Sequence, residues 1–389
     1  MALPLSYNIR NVRVRWQVTT LAIVGIALVV AVFSVLLSMS EGFKTALRST
    51  GRPDNAMIVQ RGSGSELTSG VPLEHRNIIV VDDRVAKSPD GQPLAAWDWV
   101  IVVNLQKKTD GKPTNVTLRA VTPRAFEVRG GIKVAEGRSF TPGLDEVIVG
   151  RRLTDRIEGM HIGGTVKYQQ KRFQIVGIFD SQGGALESEI WGDYDTLGAI
   201  FQRGSGSSSV VMRMKNAADI PDLDRFIRAQ PQMQLQAVSE RKYYEDQAGP
   251  LASILRNLAT FVAFIMGVGA VFGAMNTMYA IVAARTREIG TLRALGFSRR
   301  AILVSFLIES VFLALVGGAV GCLLAFPMNG FSTGTGQTQS FSEIAFAFQI
   351  TPGIVLIGMV FAALMGIVGG LLPAFRGARL PITTALREA

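Results

Sequence analysis

The chain has 389 residues, 48% of them hydrophobic, and a positive mean hydropathy of +0.29, which argues against an ordinary soluble enzyme. A net charge of +10 and a pI near 10.0 could suggest nucleic acid, but the placement of the charge excludes it. Residues 41–250 hold 28 Lys/Arg against 26 Asp/Glu, while the apolar remainder holds 12 against 4. That is a charge-mixed globular domain set inside apolar segments with the positive bias of a membrane protein.

The N-terminal segment, residues 1–16, carries Arg10, Arg13 and Arg15 and ends at Trp16, an aromatic suited to the membrane interface. Residues 17–40 hold no charge. This run exceeds the roughly 7–15 residues of a signal-peptide core and reaches the ~20 needed to cross a bilayer, so it is expected to be transmembrane helix 1. Residues 41–250 then read as a mixed α+β domain. Strand-like patches lie at 56–60, 77–81, 99–103, 116–121, 173–179 and 210–214, and Gly, Pro, Asn and Asp clusters punctuate them. Helices are expected at Arg151–Arg156 and from Ile220, with Pro221 in the first turn. The run Gly204-Ser-Gly-Ser-Ser-Ser209 reads as a mobile loop.

Three further apolar runs give transmembrane helix 2 within 251–284, helix 3 at 301–326 and helix 4 at 350–375. The loop at 285–300 holds Arg285, Arg287, Arg293, Arg299 and Arg300, and the tail at 376–389 holds Arg376, Arg379 and Arg387. By contrast the loop 327–349 has no Lys or Arg and a single carboxylate, Glu343. Both termini and the 285–300 loop are therefore expected in the cytoplasm, with 41–250 on the other side. Spans 1 and 2 each have helical potential for over thirty residues, roughly 50 Å against roughly 30 Å of hydrocarbon, so they are expected to project as a stalk.

Within the loop, Ile289, Leu292 and Leu295 fall on one helical face, Arg287, Glu288 and Arg293 lie toward others, and Gly296 is a stop signal. Small residues four apart, Gly269/Gly273, Gly317/Gly321 and Gly366/Gly370, suit close packing of helices, within the chain or between two copies. Glu309 within span 3 is expected to be paired locally near the cytoplasmic side, where Arg300 lies, rather than to mark an ion path. No catalytic constellation is present, and the carboxylate pairs Asp82-Asp83 and Asp193/Asp195 read as solvated loop charges. His75 and His161 stand alone, Cys322 has no partner for an intrachain disulfide, and no metal-spaced cluster or phosphate loop occurs. The chain is therefore not expected to be an enzyme by itself, nor to bind a metal or cofactor.

Arg285-Thr-Arg-Glu-Ile-Gly-Thr-Leu-Arg-Ala-Leu-Gly296, with Arg299-Arg300 and Phe306-Leu-Ile-Glu-Ser310, resembles the loop and third span of MacB/LolC/FtsX-type ABC transporter permeases. Gly369–Leu380 with Ala385-Leu-Arg387 resembles their C-terminal signature, although Pro381-Ile382 replaces the usual Asp-Pro. Gly137–Phe140, Asp145–Val149 and Phe173–Phe179 are more loosely similar to the MacB-like periplasmic core domain. The resemblance implies a bacterial inner-membrane, multi-pass permease working by mechanotransmission. ATP and Mg would sit on a separate cytoplasmic ABC ATPase dimer, and a second permease subunit would complete the assembly as homo- or heterodimer. A periplasmic adaptor and an outer-membrane channel are possible further partners. The coupling helix, 286–296, would meet the ATPase through Arg287, Glu288, Ile289, Leu292, Arg293 and Leu295. Export or extraction of an amphiphilic, lipid-like or periplasmic substrate is the implied function, including efflux or lipoprotein release. The alternative is an FtsX-like regulatory subunit that activates an extracytoplasmic enzyme.

Overall fold

Residues 16–202, 204–336 and 342–381 are described in the computed structural model. The first element, Trp16–Arg48 (α1), is one helix of 33 residues, a rise of about 50 Å. It continues through 41–48 despite Gly42, because Phe43, Ala46 and Leu47 bury one face of the last turns. The chain divides into a sheet unit, Gly42–Ala252 with Ser332–Ala347, and a helical unit that takes the remainder.

In chain order the sheet unit contains β1 (Asn55–Gln60), α2 (Leu73–Val80), β2 (Ala95–Gln106), β3 (Pro113–Val121), α3 (Ala125–Arg129), β4 (Lys133–Gly137) and β5 (Glu146–Gly150). It continues with α4 (Arg151–Arg156), β6 (Thr165–Tyr168), β7 (Lys171–Asp180), β8 (Glu189–Asp193), α5 (Tyr194–Ile200), β9 (Ser209–Arg213), α6 (Ile220–Arg228) and β10 (Leu235–Ser239). The strands form one sheet in the order β10-β1-β9-β2-β3-β8-β5-β7-β4, with β6 on β7. The pairs β3–β8 and β5–β7 are parallel and the others antiparallel, so the sheet is mixed, in a unit that combines strands and helices as expected. One core gathers Leu118, Val149, Leu153, Phe173, Ile190 and Leu197. A second gathers Ile58, Val210, Met212, Leu235 and the inner face of α6, where Ile220, Leu223 and Ile227 keep helical spacing.

Three expectations for this unit change. Asn77–Val81 is not a strand, because α2 covers Leu73–Val80 with Pro72 at its N-cap, and its buried residues Arg76 and Ile79 are three apart. The second half of the serine run is packed on the sheet rather than a free loop. Ser207 pairs with Val71 through both backbone groups, and Ser207, Ser208 and Ser209 are buried against the sheet. Asp193, read as a solvated loop charge, is a buried N-cap of α5 that accepts from the Thr196 amide at 3.0 Å.

After β10 the chain enters Glu240–Ala283 (α7) directly. Its 44 residues extend about 66 Å and begin well before the expected Leu251. Thr286–Ala294 (α8) and Arg299–Ala325 (α9) follow. A hairpin then forms from β11 (Ser332–Gly336) and β12 (Glu343–Ala347), where the sequence had predicted only a short loop. Pro352–Ala378 (α10) ends the described chain, with Thr351 capping the Ile354 amide and Pro352 in the first turn. The helices α1, α7, α9 and α10 are long and apolar enough to cross a membrane, at the positions of the four apolar runs.

Candidate functional site

Two places gather the charged side chains that position the long helices, and the sequence motifs point to the first alone. The first is α8, within the helical unit. Glu288 in its first turn and Arg293 in its last complement the helix dipole. The helix closes at Gly296, whose φ of +93° lets its amide reach the Arg293 carbonyl at 3.1 Å and the Phe297 amide reach Leu292 at 3.1 Å.

Its first turn is fastened by Arg285. That guanidinium donates to Glu309 on α9 at 2.8 Å and to Glu288 at 3.0 Å, and lies 5.2 Å from the Phe306 ring centre. Arg285 and Glu309 are both buried, so each satisfies a charge that would be costly alone. Glu309 therefore has the local cationic partner expected of it, but the partner is Arg285 rather than Arg300. Arg285 was quoted in the motif without a role. The only signal available was that the turn joining two helices brings their facing ends together.

Ile289 is 2% exposed and packs with Met278, Val282, Ile302, Phe306 and Ala374. It holds α8 to its own chain and is not presented outward. Leu292 is half-buried and lines the same groove as Arg285, Ile302 and Phe306. Leu295, at 72% exposed, points away. Arg287, Glu288 and Thr291 are also exposed, and Arg293 is half-buried. The six expected contact residues thus divide between an inner face that anchors and an outer face available to a partner.

The glycine pairs divide likewise. A Cβ at Gly317 or Gly321 would strike the Ile23 or Ala27 carbonyl of α1, at 3.0 and 2.5 Å. One at Gly366 or Gly370 would strike Ala314 or Ser310 of α9. The Ser310 hydroxyl also donates to the Gly366 carbonyl at 2.7 Å. These four allow close helix packing inside the chain. Among the described residues a Cβ at Gly269 or Gly273 meets nothing within 4 Å, so they leave that face of α7 open.

The second place is the root of α7 in the sheet unit, and no motif marks it. Arg119 on β3 is bidentate to Glu66, at 2.7 and 3.0 Å, and to Glu189 on β8, at 2.7 and 2.8 Å. It also reaches Asp98 on β2 at 3.1 Å. Arg129 on α3 joins Asp98 at 2.5 Å to Glu240, the first residue of α7, at 2.6 Å. The Glu240 carboxylate accepts in turn from the Asn55 side chain at 2.8 Å. All of these groups are buried. Burial pushes the Glu66 carboxyl up, but the Arg119 guanidinium, with Arg129 and the Ser209 hydroxyl, outweighs it and holds it below the usual range. The network fixes the start of the longest helix to β1, β2, β3, β8 and α3 of the sheet unit.

Among the described residues no cluster of His, Cys, Asp and Glu could hold a metal ion.

The family profile described as MacB-like periplasmic core domain matches residues 19–230, and that described as FtsX-like permease C-terminal matches residues 260–382. The chain is 25% identical over 396 residues to the uncharacterized ABC transporter permease YvrN of Bacillus subtilis, covering 94% of this chain and 93% of that protein. It is 26% identical over 392 residues to YknZ of the same organism, covering 94% of each. Against the macrolide export ATP-binding/permease protein MacB of Bdellovibrio bacteriovorus it is 24% identical over 397 residues. That match covers 94% of this chain but 58% of that protein, so the chain spans little more than half of it.

Proposed function

Because this chain belongs to the family of ABC transporter permeases with a MacB-like periplasmic core domain and an FtsX-like C-terminal part, we propose that it is the membrane subunit through which a separate ATPase drives a domain across the bilayer. In this reading both termini and α8 lie in the cytoplasm and the sheet unit lies outside, in keeping with the arginine placement. ATP binding on a pair of ATPase subunits moves α8, and α1 and α7 carry the movement outward. Relatives named for macrolide export support an amphiphilic substrate and favour export over regulation of an extracytoplasmic enzyme. A periplasmic adaptor and an outer-membrane channel belong to this reading as further partners.

The observation that carries the proposal is α8 itself. Its inner face is fastened by the Arg285–Glu309 pair and Ile289, while Arg287 and Leu295 are presented outward. A helix so anchored transmits a push to α9 rather than yielding to it. Affinity purification of the chain from its native membranes tests this. A co-purifying ATPase with Walker motifs is expected, and its absence from gently solubilised material would contradict the proposal.

The open face at Gly269 and Gly273 supports a second permease subunit packed along α7. Gly269→Leu with Gly273→Leu should abolish cross-linking between two copies while leaving each chain folded. Gly321→Leu, which meets the Ala27 carbonyl, should instead destabilise the chain itself by about 1–3 kcal/mol. Equal thermal destabilisation by both sets would refute the distinction.

A further inference from the structure

The hairpin of β11 and β12 has no part yet in the transmission. It joins α9 to α10 by short covalent links, yet it belongs to the sheet unit. Its strands pair from Ser332↔Ala347 to Gly336↔Glu343. The single carboxylate of the 327–349 segment, Glu343, accepts from the Thr114 hydroxyl at 2.5 Å and pairs with Lys107 at 2.8 Å and with Arg156. Those three donors come from β3, from the β2–β3 turn and from the end of α4, and the Glu343 side chain is only 10% exposed.

Further contacts seat the same strand. The Ala345 amide donates to the Ser188 hydroxyl at 3.0 Å, and its carbonyl accepts from Arg152. Phe346 is fully buried, edge-on to Phe43 with ring centres 5.5 Å apart. Gly334 lies where any Cβ would collide with both the Arg156 guanidinium and the Glu343 carboxylate, so the glycine makes room for their pairing. Ser342, Glu343 and Ile344 also wall a cavity of about 40 Å³ whose other lining includes Arg119, Glu66 and Tyr244. Among the described residues the Tyr244 and Ser65 hydroxyls that line it make no hydrogen bond, and the volume suits two or three waters bridging them. The hairpin thus closes over the network that roots α7.

We propose that this hairpin is a further transmission link, alongside α1 and α7, through which movement of α9 and α10 reaches the sheet unit, and that Glu343 is the positioning residue that seats it. The proposal rests on the permease reading above. A short loop would let α9 and α10 move without the sheet unit, whereas a seated hairpin moves with it. Charge reversal at Glu343 places a cation against Lys107 and Arg156 and unseats the strand.

The test is hydrogen exchange on the full chain with its ATPase in lipid nanodiscs, with and without ATP and vanadate, which together trap ADP on the ATPase. Wild type is expected to show a nucleotide-dependent change of exchange in the sheet unit. Glu343→Lys should lose that change and the protection of the Ala345 amide. ATP hydrolysis should stay within about two-fold, since the site shares no residue with α8. In a Cys322→Ala background, Thr114→Cys with Glu343→Cys should restore the nucleotide response when oxidised and lose it when reduced. If Glu343→Lys keeps the response, or the oxidised pair fails to restore it, the hairpin proposal alone is overturned. A wild-type chain with no nucleotide response would overturn the permease reading, and the hairpin's role with it.

Discussion

Replacing Arg119 by methionine is expected to lower the stability of the sheet unit by about 3–5 kcal/mol. The arginine is 1% exposed and is bonded to Glu66, Glu189 and Asp98 at once. Removing it leaves Glu66 and Glu189 buried with no guanidinium bonded to them, while Arg129 still pairs with Asp98. For a unit of this size the loss corresponds to a fall in melting temperature of roughly 6–20 °C. Trp191, fully buried with its indole N–H bonded to Glu189 at 2.8 Å, reports it by fluorescence. A shift too small to detect would show that the network does not stabilise the unit.

The same network sets an acid limit. The folded-state pKa of Glu66 lies below its ordinary 4.5. Its stabilising contribution is therefore complete above that ordinary value and is lost as pH falls through the lower folded one. Acidification below about 4.5 should thus destabilise wild type more than Arg119→Met. An identical acid response in the two proteins would refute the link.

The second large effect is expected on the outer face of α8. Arg287→Glu combined with Leu295→Glu should reduce ATP hydrolysis by the assembled complex about ten-fold, the loss of one or two central contacts in a small interface. Both side chains are exposed, so expression and melting temperature should be unchanged. Ile289→Asp would also abolish activity, but by placing a charge among Met278, Val282 and Phe306, and its melting temperature should fall. The contrast separates contact with the ATPase from support of the helix. Full ATP hydrolysis by the double-glutamate variant would remove this face from the interface.

The apolar runs were enough to locate the four long helices, because bilayer length acts on local sequence. Helical spacing likewise marked α8 and α6. Spacing alone could not say which side of α8 faces its own chain. Ile289 and Leu295 look equivalent in sequence, and only the fold of α9 and α10 around the helix makes one core and the other surface. The β-branched run at 77–81 misled for a similar reason, since Pro72 and the burial of Arg76 and Ile79 favour a helix there. Least legible were the sites assembled from distant segments. Arg119, Glu66, Asp98, Arg129 and Glu240 carry no motif, and Glu343 was visible only as a lone charge in an apolar loop.

The central claim is that ATP binding by the partner ATPase, received at α8, moves the sheet unit. Its most direct test attaches a spin label to exposed Lys167→Cys in a Cys322→Ala background. The distance between the labels of two copies is then measured by electron paramagnetic resonance, in nanodiscs with the ATPase, before and after trapping ATP. A shift in the distribution for the otherwise wild-type chain, absent when Arg287 and Leu295 are both glutamate, is the predicted result. A distribution that ATP leaves unchanged, or a shift that survives the double substitution, would contradict it.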